Sequence, residues 1–141
     1  MFSPSRDEAR RFLIDAWRKF RAQAPLTPLE SMAARLVALH PEYHALLEAG
    51  DEHLDRDWRP EHGETNPYLH LSLHLAVAEQ LSIDQPRGLV AHFERLKASR
   101  GDEHAALHGV LDCLGETVWH AQRHGTPPDA TVYLGCLERQ R

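Results

Sequence analysis

An all-α, single-domain helical bundle of five to six helices is predicted over residues 1–141, and three observations predict it. Apolar residues recur at intervals of three and four along most of the chain. The runs open on Ser, Thr, Asp or Asn and close on Gly or ahead of Pro. No stretch competes as a strand.

Each element follows from its own residues. Ser3 caps a first helix with Pro4 at its first position, and Asp7 and Glu8 suit the positive end of the dipole. Ala9, Phe12, Leu13, Ala16, Trp17 and Phe20 form its apolar stripe. The second helix opens at "TPLE", where Thr27 and Glu30 make a capping-box pattern around Pro28. Its stripe is Leu29, Met32, Ala33, Leu36 and Val37; Pro41 then breaks it, and a further turn through Leu46 and Leu47 stops near Gly50. Residues 51–66, "DEHLDRDWRPEHGETN", have no helical period and are read as a long acidic loop. Asn66 caps a third helix from Pro67 to about Ser82. After "DQPRG" comes a fourth with Leu89, Val90, Phe93 and Leu96, ended by Gly101. Asp102 caps a long fifth helix that runs to about His124 and stops at Gly125, with Pro127 and Pro128 beyond. Asp129 caps a last short helix bearing Tyr133, Leu134 and Leu137.

Composition narrows the function. The chain is 42% hydrophobic and 26% charged, with a net charge of −5. A non-specific grip on nucleic acid needs excess Lys and Arg, so that partner is not expected. No window approaches a membrane span, and the charged N-terminus is no secretory signal. A cytoplasmic protein is the expectation. The two cysteines, Cys113 and Cys136, form no CxxC pair and no disulfide framework; Cys113 is read as packing or surface. Trp17, Phe20 and Trp119 lie in or beside apolar stripes and are assigned to the core.

Histidine is the anomaly, with 11 residues. "NPYLHLSLHLAVAEQ" sets two of them four apart in an otherwise apolar run. With His70 at zero on a helical wheel, His74 falls at roughly 40°, Leu81 at 20° and Val77 at 340°. Both rings therefore share the face of Val77 and Leu81, and buried rings need partners for their nitrogens. The fifth helix offers an i+4 ridge of His104, His108, Asp112, Glu116, His120 and His124. Only its first part lies near the apolar face; His120 and His124 drift to solvent. His70 and His74, with His108 and Asp112 or Glu116, thus make a candidate interhelical site for one divalent transition metal, Zn, Fe or Mn.

Sharper chemistries fail. "HLSLH" lacks the glutamate of an HExxH helix, no Glu-x-x-His pair is present, and P-loop, GxGxxG and GxSxG motifs are missing. Cys113 lies about 140° from His108 on the same helix, so the two do not face each other.

"NPYLHLSLHLAVAEQ", "CLGE…W.AQR.G.PPD" and "Y..CL" together resemble a bacterial family catalogued only as a domain of unknown function, from "HPEYH" to the C-terminus. The resemblance implies an intracellular helical protein without an established activity. It places His70, His74, Glu79, His108 and Glu116 within shared motifs, and it sets Asp112 where relatives tend to carry glutamate. Glu79 points away from the histidines on the wheel.

Three readings follow. One is a metal-binding bundle whose reaction, if any, is not fixed. Another is a non-enzymatic scaffold with structural histidines and a protein partner. The third is a pH-responsive module loosened when the adjacent rings protonate.

Overall fold

The computed structural model describes residues 6–54, 56, 58 and 66–140. Among these there are seven α-helices and no strand. They are α1 (Arg6–Arg21), α2 (Pro28–Ala38), α3 (His44–Glu48), α4 (Pro67–Ile83), α5 (Leu89–Arg100), α6 (Glu103–His124) and α7 (Ala130–Arg139). No helix among the described residues is long and apolar enough to cross a membrane. The seventh helix is α3, one turn that the sequence shows only as an extension after Pro41. A 3₁₀ turn, Pro41–Tyr43, leads into it. A second one, Gly50–His53, occupies the start of what reads as the acidic loop. It is too short to display a period. Ser3, Pro4 and most of the acidic loop lie outside the described residues.

The chain divides into two compact units, Met1–Leu75 and Ala76–Arg141, with the boundary inside α4. In the first, α1 packs on α2 and α3 around Leu13, Ala16, Trp17, Ala33, Val37 and Leu47, joined by Leu71 and Leu75 of α4. Polar bonds fix the edges of that core. The Thr27 hydroxyl accepts from the Glu30 amide while the Glu30 carboxylate accepts from the Thr27 amide, completing the capping box. Glu30 also pairs with Lys19 at 2.7 Å. That ammonium, and then the Thr27 N–H, hold its carboxyl below the usual range. The Trp17 indole donates to Glu48 at 3.1 Å.

Arg10 is 4% exposed, the most buried Arg or Lys among the described residues of this unit. Its Nη1 donates to the carbonyls of Leu54 (2.6 Å) and Arg56 (2.8 Å). Its guanidinium lies 4.9 Å from the Tyr68 ring and 5.3 Å from that of Trp58. Burial pushes the Tyr68 phenol up, an effect that Arg10 opposes.

In the second unit α5, α6 and α7 pack on one another. Val77, Leu89, Phe93, Leu96, Val110, Leu111, Leu114 and Leu137 are buried. Asp84 replaces a side-chain cap for α5, accepting from the amides of Gly88 (3.2 Å) and Val90 (3.0 Å). Gly101 and Gly125 close α5 and α6 at φ 67 and 62, the left-handed region that suits glycine. The Tyr133 hydroxyl donates to Gln80 at 2.7 Å, and burial pushes its phenol far up.

Two expectations are corrected. Cys113 and Cys136 are bonded to each other, Cα to Cα 5.6 Å, and Cys113 is fully buried. Spacing hides this, because only the return of α7 across α6 brings residues 23 apart together. Of the aromatics assigned to the core, Trp17 is buried, whereas Phe20 and Trp119 are largely exposed. Phe20 sits on the last turn of α1 and stacks on Trp17 at 5.4 Å. Trp119 lies about 140° from Leu114 around α6, and Arg123 covers its ring at 5.2 Å.

Candidate metal centre

α4 points His70 and His74 into the first unit as their shared helical face requires. His74 is 2% exposed and His70 is half-buried. Their rings meet edge to face, 4.8 Å between centroids. A third ring joins them: His40 lies 5.1 Å from His70 and 4.9 Å from His74.

His40 occupies the break after α2. Pro41 excludes the helical region for the residue before it, and His40 takes φ −126, ψ 68. That kink turns a ring at the end of an amphipathic helix inward, where it is 4% exposed. Its Nδ1 lies 2.7 Å from the Leu36 carbonyl oxygen. A carbonyl only accepts, so Nδ1 carries the proton, and the neutral ring keeps the lone pair on Nε2. This is the outer-shell arrangement that fixes the tautomer of a ligating histidine.

One nitrogen from each of His40, His70 and His74 lies within 4.8 Å of those of the other two. Zinc–nitrogen bonds of 2.0–2.1 Å in a tetrahedron set neighbouring nitrogens about 3.4 Å apart. Tyr43 flanks the cluster, stacked on His40 at 5.6 Å and edge-on to His70 at 6.0 Å. Burial, and then Glu42, raise its phenol above the ordinary value, so it stays protonated at neutral pH. His44, only four residues from His40, has a different task. Its Nε2 donates to the Val37 carbonyl at 2.8 Å, and its ring packs on Trp17 at 4.5 Å.

The other expected ligands sit on α6, in the second unit. His108 is half-buried with its ring against His104, 4.2 Å between centroids. Asp112 is exposed. Glu116 is engaged by Arg139 at 3.3 Å. Among the described residues no carboxylate belongs to the histidine cluster. His120 and His124 pair at 4.3 Å near the end of α6. Glu79 accepts the Ser82 hydroxyl on its backbone carbonyl.

His40 is the residue that reading helical faces misses. A residue at a helix break has no wheel position, and only "HPEYH" hinted at it. Comparison with curated proteins and with solved structures found no match. The family likeness is longer than the sequence motifs suggest, reaching through α1. It matches the model described as "Domain of unknown function (DUF1841)" over residues 5–139, and the chain belongs to that family.

Proposed function

We propose that this protein binds one divalent transition-metal ion through His40, His70 and His74. The observation that carries the reading is the bond from His40 Nδ1 to the Leu36 carbonyl, which sets the ring's lone pair on Nε2 beside two further imidazoles. Three neutral nitrogens suit zinc and its borderline neighbours better than manganese, which favours carboxylate and water oxygens; iron sits between them. A tetrahedral ion needs a fourth donor. Water can take that position, as in zinc sites with three protein ligands. Asp112 and Glu116, exposed or ion-paired, are assigned to the surface.

The test uses untagged, chelator-stripped protein titrated with Zn(II), and with Co(II), whose visible spectrum reports tetrahedral nitrogen ligation. His120→Ala/His124→Ala is the background, so that this second pair of rings does not contribute. One equivalent is expected to bind. His40→Ala and His74→Ala should each abolish the tight phase. Less than a tenth of an equivalent bound, or binding indifferent to His40 and His74, removes the reading. What then stands is a scaffold with structural histidines, which the same His40–Leu36 bond would serve.

A further inference from the structure

We propose that the Cys113–Cys136 bond is a reversible redox clip with a built-in direction. A reducing thiolate attacks Cys136, and Cys113 is the leaving sulfur. These are the chain's only cysteines, so they form one two-electron couple confined to the second unit. The two sulfurs are not equivalent. Cys113, in the middle of α6, is fully buried, and its residue is further tied down by the Thr117 hydroxyl on its carbonyl at 2.7 Å. Cys136 lies on the ten-residue α7 and is 6% exposed. It is the sulfur an attacking group reaches first when α7 loosens.

The environment of Cys113 favours its departure. Gln140 Nε2 donates to Cys113 Sγ at 3.7 Å. The other end of the same amide, Oε1, accepts from Arg100, which fixes which atom faces the sulfur. An N–H aimed at sulfur favours the thiolate over the neutral form, and a better leaving thiolate departs faster.

The step balances with a small dithiol as reductant. Its thiolate bonds to Cys136 Sγ, the sulfur–sulfur bond breaks, and the electron pair goes to Cys113 Sγ, which takes a proton from solvent. The second thiol of the reductant then attacks the mixed disulfide. It leaves as a cyclic disulfide and releases Cys136 as a thiol. Two electrons and two protons reach the protein. Without the covalent link, α7 is held by its buried Tyr133 and Leu137, the Glu116–Arg139 pair and the Gln140 amide, so its amides should exchange faster while the first unit is unchanged.

The oxidised full-length chain is treated with a small dithiol in native buffer, quenched with an alkylating agent and weighed. Reduction should be first order in dithiol, with helical circular dichroism retained and hydrogen exchange rising in α7. A limiting monothiol should leave its adduct on Cys136. Gln140→Leu should slow reduction several-fold. In the single-cysteine variants, Cys136 left by Cys113→Ser should alkylate faster than Cys113 left by Cys136→Ser. An adduct on Cys113 overturns the direction. A reduction rate independent of dithiol and equal to that of global unfolding overturns the clip and leaves a structural staple. Both thiols free in protein prepared without reductant would also overturn it.

Discussion

Replacing Arg10 is the most demanding test of what holds the first unit together. Arg10 lies on α1 but serves residues more than forty positions away, the carbonyls of Leu54 and Arg56 and the ring of Trp58. Hydrogen bonds from a charged donor contribute about 1.5–3 kcal/mol each, and a partly desolvated cation over an aromatic face about 0.5–2 kcal/mol. Desolvation of the guanidinium opposes both. Arg10→Met preserves the aliphatic stem and strands the Leu54 carbonyl, so a net loss of about 3–5 kcal/mol is expected. With a urea dependence of about 2 kcal/mol per molar, the midpoint falls by roughly 2 M. Arg10→Lys should recover only part of this, since an ammonium lacks the rigid fork that reaches two carbonyls. The assay is urea unfolding followed by circular dichroism, with tryptophan fluorescence as a second probe. A midpoint shift for Arg10→Met below roughly 0.3 M at unchanged slope would refute the claim that this cation ties the segment after α3 to α1.

Other expectations are simpler. Cys113→Ala/Cys136→Ala opens a loop of 23 residues' separation and should cost about 3.5 kcal/mol by the loop-entropy relation, read in the same urea assay. Thr27→Ala should lose about 1 kcal/mol as the capping box breaks, with little change in the dependence on urea. For Asp84, bonds from the Val90 and Gly88 amides lower the folded pKa, so its stabilisation is present above the unfolded value and is lost as pH falls through the folded one. Melting wild type beside Asp84→Asn should therefore show a gap at pH 7 that closes below about pH 4; a gap constant with pH refutes it. Pro41→Ala should weaken Zn(II) binding by about 10–100-fold, the scale of an outer-shell loss, while a melting curve close to wild type shows the unit intact.

Local chemistry made the helices legible. Caps act within three residues, and among the described residues those read from sequence form as bonds: Asn66 accepts from the Leu69 amide at 3.1 Å, Asp102 from Ala105 at 3.0 Å and Asp129 from Thr131 at 2.8 Å. The shared face of His70 and His74 was legible for a related reason, since a helix fixes the angle between side chains four apart. Tertiary facts were not. Nothing near Cys113 announces Cys136, because their meeting depends on a turn and a helix return. The exposure of Trp119 depends on where the α6 face ends. Glu116 reads as a ligand on the ridge, yet its carboxylate is taken by Arg139, 23 residues on.

His40 shows where a helical reading stops and why the site lies there. Had α2 continued past Leu39, residue 40 would lie on a wheel with Val37 and Leu36, and its Nδ1 would have no reason to meet a carbonyl one turn back. Pro41 forbids that continuation by clashing with the helical conformation of its neighbour. The backbone turns out of the helix, and the His40 N–H goes to the Val37 carbonyl at 3.0 Å instead of to that of Leu36. The Leu36 carbonyl, which keeps only the Leu39 amide at 3.2 Å, accepts the imidazole as well. The same break that ends the helix therefore supplies the bond that fixes the tautomer. A proline and a carbonyl left without its i+4 amide together turn an ordinary helix end into a directed nitrogen lone pair, which neither the histidine count nor the helical period reveals.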